Sequence, residues 1–134
     1  MIYALDSDTI SYMLKENKDV QEQFYNMLSG DNNLYSIPPL VYYEVKRGLC
    51  VKKANVKLNR FKELYENSIT GEMNIQIWAK AVEIYTRLTA TGKLIGDGDI
   101  FIASFCIIND YILVTNNTEH YGRIEELKMV NWKR

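Results

Sequence analysis

Residues 1–10 read MIYALDSDTI, and the fold class follows from the way this stretch changes character. The first five residues are apolar and favour extended backbone, which predicts a short strand. The strand is followed at once by Asp6-Ser7-Asp8-Thr9, residue types that prefer the N-cap of a helix, so a helix is predicted to begin near Ser7. A strand that passes directly into a helix is typical of α/β proteins.

The same alternation of strands and helices continues along the chain. Apolar spacing, the Pro38-Pro39 pair and the turn over 96–99 mark the further elements. They are helices over 19–28, from Pro38-Pro39 to Gly48, 55–66, 75–91 and 100–108, and strands over 34–37, 111–114 and 129–132. Short strands that alternate with helices predict a parallel sheet in an α/β domain.

The longest predicted helix, over 75–91, carries large apolar residues at helical spacing. Trp78, Val82, Tyr85 and Leu88 fall in register on it, and Gly92 follows as its C-cap. Trp78 and the ten tyrosines of the chain are therefore assigned to the core and to interfaces rather than to base stacking.

Length and composition limit the class of protein. The 134 residues suit a single domain over 1–134, and 47% hydrophobic with 25% charged residues is typical of folded globular proteins. Two cysteines, Cys50 and Cys106, exclude a secreted disulfide scaffold and suit free thiols in a reducing cytosol. The start of the chain lacks a basic leader, and no apolar run approaches the roughly 20 residues of a membrane span. We therefore expect a cytoplasmic protein that does not enter a membrane.

The basic residues are concentrated although the net charge is only −1. The window 45–62 contains no acidic residue and seven of the sixteen basic ones. They are Lys46, Arg47, Lys52, Lys53, Lys57, Arg60 and Lys62. Such a window suits a phosphate backbone, and it equally suits a solvated helix face, so both interpretations stay open.

Ligand sites of open α/β sheets lie beyond the carboxyl ends of the strands, and this rule selects a set of polar residues. Asp6 follows the first strand, and Asn117 follows the strand over 111–114. Asp97 and Asp99 lie at the start of the apolar helix that follows the glycine-rich turn. Glu44 lies in the helix after the second strand, among apolar neighbours that make an unpaired carboxylate costly.

Convergence of Asp6, Glu44 and Asp99 would require a counter-charge, because three carboxylates a few ångströms apart cannot all stay ionised alone. The chain has no cluster of histidine or cysteine, so an all-oxygen site indicates Mg²⁺ or Mn²⁺ rather than zinc. A divalent ion held by carboxylates can activate water and neutralise the charge of a phosphodiester.

Each of these residues also has an ordinary structural interpretation. Either Asp6 or Asp8 could cap the first helix, a role that suits Asp8 better. Asp97 and Asp99 could simply lie at a helix N-terminus, where the helix dipole stabilises acidic side chains. Asn117 suits a turn, and the single histidine, His120, is interpreted as a surface or packing residue rather than a general base.

Taken together, the motifs resemble those of the PIN-domain ribonucleases, in particular the VapC-like toxins of bacterial type II toxin–antitoxin modules. The resemblance extends from one end of the chain to the other, in the order and at the spacing of that family. The matching segments are Tyr3 to Ser11, Ser36 through Glu44 to Gly48, Gly92 to Asp99 with Ile102-Ala103, Leu113 to Asn117, and Val130 to Trp132.

The resemblance implies a single PIN domain with a three-layer α/β/α architecture and a central, mostly parallel sheet of four to five strands. It implies a metal-dependent endoribonuclease in which Asp6, Glu44 and Asp99 hold Mg²⁺ or Mn²⁺. The fourth acidic position of the family falls on Asn117, with Glu119 as a nearby alternative. Asp97 and Ser7 are possible auxiliary residues, and Ser7 or Asn117 would hold metal-bound water or the scissile phosphate.

The expected partners follow from the same resemblance and from the basic window. Lys46, Arg47, Lys52 and Lys53 are predicted to contact the RNA backbone. Members of the family pair with a small cognate antitoxin and form homodimers, so both are expected here. The antitoxin could inhibit by placing a basic side chain in the acidic site.

Two other function classes are weighed. Asp6-Ser7-Asp8-Thr9 also resembles the start of the haloacid-dehalogenase phosphatases, but Ile10 departs from that pattern and the downstream aspartate expected near Phe101 is missing. The second alternative is a PIN-like module that binds RNA or protein without catalysis. It is favoured only by the Asn117 substitution, since the three principal acids are intact.

Overall fold

The computed structural model describes residues 1–134 and contains four strands and seven helices. In chain order these are β1 (Ile2–Leu5), α1 (Ser7–Leu14), α2 (Lys18–Ser29), β2 (Leu34–Ser36), α3 (Pro39–Val51), α4 (Asn55–Glu66), α5 (Ile75–Ala90), α6 (Asp97–Asn109), β3 (Ile112–Val114), α7 (Thr118–Tyr121) and β4 (Met129–Val130). All strand pairs are parallel, and the strand order is β2-β1-β3-β4. This confirms the predicted parallel sheet of four to five strands, and the number of strands is four.

The two central strands are buried on both sides of the sheet. Ala4 and Leu5 of β1 are both 0% exposed, and so are Leu113 and Val114 of β3. Because successive residues of a strand point to opposite faces, helices must cover both faces. This confirms the three-layer α/β/α architecture.

Short polar residues fix where several helices begin. Asn17 accepts a hydrogen bond from the Val20 amide at 3.1 Å, and Asn74 accepts one from the Ile77 amide at 3.0 Å. Both pairs satisfy amides that a helix leaves without partners in its first turn. Pro39 opens α3, where the missing amide costs nothing.

Several boundaries differ from the sequence prediction. Helix α3 continues past Gly48 to Val51, because a single glycine costs a helix only about 1 kcal/mol and here faces open space. Helix α6 begins at Asp97 rather than at Ile100, so Asp97 and Asp99 belong to its first turn. The four-residue helix α7 is too short to produce an apolar period and was not predicted.

The face of α5 that packs inward is not the one on which Trp78 lies. Its buried residues are Ile77, Ala81, Ile84 and Leu88. Trp78, Val82 and Tyr85 are 41%, 66% and 46% exposed, and we call these three residues the α5 apolar face. Trp78 is therefore not a core residue, so of its predicted assignment to the core and to interfaces only the interface remains a prediction, whereas Leu88 is buried as the spacing suggests.

The strand order places a switch point between β1 and β3. The chain leaves β1 towards β2 on one side, while β3 pairs with β1 on the other side. Asp6 follows β1 directly, and residues 115–117 follow β3 directly, so both segments meet at this point. Ligands of open α/β sheets bind in the crevice at such a position.

Both cysteines are free, Cys50 exposed and Cys106 buried, as the sequence predicts. None of the helices combines the length and hydropathy that a membrane crossing requires.

Candidate active site

Asp6 is a buried carboxylate fixed at the start of α1. It is the N-cap of that helix, and its Oδ1 accepts a hydrogen bond from the Ser7 amide at 2.9 Å. Its Oδ2 accepts one from the Thr115 hydroxyl at 2.7 Å. Burial, followed by the nearby charge of Asp8, raises the pKa of Asp6 from 3.8 to about 7. Near neutral pH this group therefore exchanges a proton readily, and a cation beside it would displace that proton.

Asp8 does not cap α1, so the assignment of that role to Asp8 rather than to Asp6 is wrong. Its Oδ2 accepts a hydrogen bond from the Asn116 amide at 3.0 Å and lies 3.5 Å from the Thr115 hydroxyl. Burial raises the pKa of Asp8 as well. The contact ties the first turn of α1 to the loop after β3 and thereby fixes Thr115 opposite Asp6. Thr115 was not identified as a site residue, although it follows β3 at the carboxyl edge of the sheet.

Glu44 reaches the same region from α3. Its Oε1 accepts a hydrogen bond from the Ser7 hydroxyl at 2.8 Å. Because Ser7 follows Asp6 directly, this bond ties Glu44 to the start of α1. A Cβ atom added to Gly98 would lie only 3.6 Å from Glu44 Oε2. The first turn of α6, which carries Asp99, therefore lies directly against this carboxylate.

Asp99 accepts hydrogen bonds from two side chains, Tyr121 of α7 and Asn117 at its N-cap, and a third side chain of α7 approaches it. The Tyr121 hydroxyl donates to Oδ1 at 3.2 Å, and the Asn117 amide nitrogen donates to Oδ2 at 3.4 Å. The His120 Nδ1 atom lies 3.6 Å from the same Oδ2. Tyr121 is fully buried, and burial raises the pKa of its phenol, so the hydroxyl keeps its proton and acts as a donor. His120 is exposed, as the sequence analysis expects of a surface residue, and it also lies beside Asp99.

Asp6, Glu44 and Asp99 form an acidic cluster without an ionic partner among the basic residues. The charge of Asp99 contributes to the raised pKa of Asp6. No lysine or arginine forms an ion pair with Asp6, Glu44 or Asp99. As they stand, no three histidine, cysteine, aspartate or glutamate side chains lie close enough to hold a metal ion. Carboxylate oxygens without a paired cation are the kind of donor that a hard divalent cation prefers.

Two of the predicted auxiliary residues do not join this cluster. Asp97 is exposed and lies beside Trp78 and Val82 of α5, without a hydrogen bond to the other site residues. The Glu119 side chain is 87% exposed and approaches Arg123. Asn117 and Ser7, by contrast, contact Asp99 and Glu44 directly.

A cleft of about 240 Å³ is lined by Glu44 of the acidic cluster, by Ser7 and by residues of the basic window. The lysines that line it are Lys15, Lys52 and Lys57. Of the four residues predicted to contact RNA, only Lys52 lines this cleft. Lys46 and Arg47 are exposed on α3 and lie over the rings of Tyr42 and Tyr43, and Lys53 is exposed in the turn after α3.

The fold and the site together define a small three-layer α/β/α domain with an acidic cluster at the switch point of a parallel sheet. The chain belongs to the PIN domain family, whose sequence model matches residues 3–126. The resemblance inferred from the motifs is thereby confirmed.

Named relatives are ribonucleases. Ribonuclease VapC2 of Rickettsia felis is 29% identical over 140 residues and covers both chains completely. Ribonuclease VapC1 of Methanocaldococcus jannaschii is 40% identical over 83 residues, which is 62% of this chain and 59% of that protein.

Solved structures of the same fold cover 98% or more of the chain. VapBC2 from Rickettsia felis, bound to a DNA fragment from their promoter, has a TM-score of 0.89 and 26% identity, and covers 99% of this chain and 100% of that one. VapBC-1 from nontypeable Haemophilus influenzae has a TM-score of 0.86 at 24% identity with full coverage of both chains. A toxin-antitoxin complex from Klebsiella pneumoniae has a TM-score of 0.75 at 13% identity and covers 98% of each chain. The last two likenesses show the fold alone.

Proposed function

We propose that this protein is a metal-dependent endoribonuclease and the toxin of a toxin–antitoxin pair. The observation that carries the proposal is the acidic cluster of Asp6, Glu44 and Asp99 at the switch point of a PIN domain. Relatives that span the full chain are ribonucleases, which gives the substrate class. The proposal treats residues 1–134 as one PIN domain working in the cytoplasm.

Asp6, Glu44 and Asp99 would hold one Mg²⁺ or Mn²⁺ ion. When bound, such an ion supplies activation of water and neutralisation of charge on the phosphate. Oxygen ligands suit both metals, and a raised pKa at Asp6 makes binding release a proton near neutral pH.

The residues around the carboxylates orient them. The Thr115 hydroxyl donates to Asp6 and accepts a hydrogen bond from the backbone amide of Asn117 at 3.0 Å. These two bonds fix the direction in which the hydroxyl points. Ser7 orients Glu44, and Tyr121 orients Asp99. Each carboxylate therefore meets the substrate in a defined position, which is what in-line attack on a phosphodiester requires.

The RNA backbone would enter through the cleft lined by Lys15, Lys52 and Lys57. These ammonium groups supply the positive charge that the acidic cluster lacks, and they continue directly from Ser7 and Glu44. Lys46, Arg47 and Lys53 would contact parts of the RNA outside the cleft.

A cognate antitoxin and a second copy of the chain are the proposed protein partners. The structural neighbour VapBC2 from Rickettsia felis supports an antitoxin, and the uncompensated acidic cluster offers a site for an inhibiting basic side chain. The α5 apolar face, defined by Trp78, Val82 and Tyr85, is exposed and is the surface we assign to the homodimer contact.

The test is cleavage of total cellular RNA by the purified protein, free of antitoxin. Reactions contain Mn²⁺, Mg²⁺ or EDTA, with Asp99→Asn as the control for a contaminating nuclease. Discrete fragments that disappear with EDTA and with Asp99→Asn are expected. Folded, metal-loaded protein that cuts no RNA would contradict the proposal and favour a non-catalytic binding module.

A further inference from the structure

A second cavity, between α3 and α4, shares no lining residue with the cleft at Glu44. It has a volume of about 540 Å³ and is lined by Tyr42, Lys46 and Cys50 of α3 and by residues of α4. We call it the α3–α4 cavity. Its volume is in the range of small-ligand pockets, about 300–1,000 Å³. The cavity is therefore large enough for a flat ring such as a nucleobase.

Aromatic side chains form one wall of the α3–α4 cavity. The rings of Tyr42 and Tyr65 have centroids 4.6 Å apart, and the ring of Phe61 lies 5.9 Å from that of Tyr42. Phe61 is buried, whereas the two tyrosines are only partly buried, and all three residues line the cavity. Packed rings that border an open cavity offer a surface for a further aromatic ring. These two tyrosines thereby depart from the assignment of all ten to the core and to interfaces.

The unpaired charge of the cavity is positive. Lys46 is exposed, and its Nζ atom lies 2.9 Å from the Tyr42 hydroxyl and 5.3 Å from the centroid of the Tyr42 ring. No carboxylate forms an ion pair with Lys46. Lys62 and Glu66, which also line the cavity, lie 3.8 Å from each other, so their charges offset. A free ammonium group beside aromatic rings suits a ligand that joins a flat ring to a phosphate.

Helix α3 connects this cavity to the acidic cluster. Tyr42 and Lys46 are each two positions from Glu44, and such residues point to opposite sides of a helix because each residue turns it by about 100°. The exposed face between them carries Tyr43 and Arg47, and the Arg47 guanidinium lies 4.9 Å from the centroid of the Tyr43 ring. A strand of RNA at Glu44 therefore reaches the cavity across one helix diameter, about 10–12 Å, over a basic and aromatic surface.

We propose that the α3–α4 cavity binds an unpaired base of the RNA substrate near the bond that is cut. Tyr42 and Tyr65 contact the base, and Lys46 contacts its phosphate. This inference rests on the proposed function and adds a recognition site to it. A base can enter such a cavity only where it is free of a pairing partner, so the protein selects single-stranded segments and loops.

The first test is binding of the full chain to a fluorescent twelve-nucleotide RNA strand that contains all four bases. EDTA removes divalent ions, and an abasic strand of the same length supplies the same phosphates without bases. The parent is expected to bind the base-bearing strand at least about tenfold more tightly than the abasic strand. Tyr65→Leu should remove most of this difference, whereas Tyr65→Phe keeps a ring and should preserve it. Tyr25→Leu, which removes an exposed tyrosine of α2, is the matched control and should also preserve it.

The second test locates the bound base. Cys50 is the only exposed cysteine of the chain and lines the α3–α4 cavity, so the rate of its alkylation by a maleimide reports whether the cavity is filled. Mass spectrometry is expected to show a rate that falls several-fold with saturating base-bearing strand and hardly changes with the abasic strand. Tyr65→Leu should lose this protection. Protection that grows with protein concentration without RNA would show that a second copy covers the cavity, and the proposal would fall.

Equal affinity of the parent for the two strands, or alkylation of Cys50 that bound RNA leaves unchanged, would also overturn the inference. The proposed function fails in a different way, through loss of the cleavage that depends on Mn²⁺ and on Asp99. Cleavage with base-independent binding leaves the proposed function standing and rejects only the further inference. Base-dependent binding by a protein that cuts no RNA keeps the cavity as a base site and rejects the endoribonuclease.

Discussion

The two halves of the acidic site are built differently. Asp6 is buried and is fixed by a backbone amide and by Thr115, both of which belong to segments that leave the central strands. The Asp99 side chain is 30% exposed and is held by side chains from the short helix α7. The first half is therefore part of the sheet framework, whereas the second half depends on contacts that substitutions can remove one at a time.

The largest expected effect is common to both halves. Asp6→Asn and Asp99→Asn should each reduce the RNA cleavage rate about a thousandfold or more, because each removes the charge of a proposed metal ligand without changing the size of the side chain. Single-turnover cleavage under saturating Mn²⁺ measures it, with Glu119→Gln as the matched control. A variant at either position that cleaves within tenfold of the parent would remove that residue from the catalytic set.

Asp6 should make the stability of the metal-free protein depend on pH. Because the pKa of Asp6 is about 7 in the folded state against 3.8 unfolded, the folded state binds more protons between these pH values. The free energy of unfolding therefore falls by up to about 4 kcal/mol as pH rises from about 4 through about 7. Above about pH 7 it stays at this lower value. Asp6→Asn keeps an N-cap acceptor and should abolish most of this loss.

Chemical denaturation of the metal-free protein at pH 5 and pH 8 measures this difference. At pH 8 Asp6→Asn should be more stable than the parent. Asp97→Asn, at an exposed position in the first turn of α6 outside the acidic cluster, should instead lose at most about 1 kcal/mol of helix-dipole stabilisation. Equal stability of the parent at both pH values would contradict the burial of an uncompensated charge at Asp6.

The difference between the halves also explains what sequence could predict. Asp6 and Asp99 could be selected because strand ends and helix starts are visible as local patterns, and Glu44 because a carboxylate is unexpected among apolar neighbours. Their role in metal binding stays a prediction. The Thr115–Asp6 contact joins residues 109 positions apart, and no local pattern reports the direction of a side chain. His120 lies in a four-residue helix without a period, so its approach to Asp99 was not predictable from spacing.

Two misassignments have the same physical origin. Asp6 and Asp8 are both good N-cap residues, and only the register of α1 against Val114 decides which of them is the cap. On α5, apolar residues occupy two adjacent stripes, and periodicity identifies both stripes as apolar without saying which packs on α6. The fold class was predictable because alternation of elements is a property of the whole chain, whereas these choices depend on tertiary contacts.

A smaller effect is expected from the residues that orient the carboxylates. Thr115→Val removes the hydroxyl that lowers the pKa of Asp6, so the pH profile of cleavage should shift upward and activity should fall about tenfold or more. Tyr121→Phe keeps the buried ring and removes only a donor to Asp99, so activity should fall less, about threefold, without a shift attributable to Asp6. Cleavage measured from pH 5.5 to 8.5 tests both, and a larger shift in Tyr121→Phe would reverse the comparison.

The smallest effect concerns the cleft that leads away from the site. Lys52→Gln and Lys57→Gln should each raise the KM for RNA about threefold at physiological salt with kcat unchanged, because a phosphate contact outside the reacting centre adds uniform binding. Lys62→Gln is the matched control, since this lysine is in the same basic window but has a 74% exposed side chain near Glu66, outside the cleft. The salt dependence of KM should become shallower in the first two variants and not in the third. If all three variants change the KM for RNA equally, the basic window acts through its overall charge. RNA would then bind without specific contacts to the lysines of the cleft.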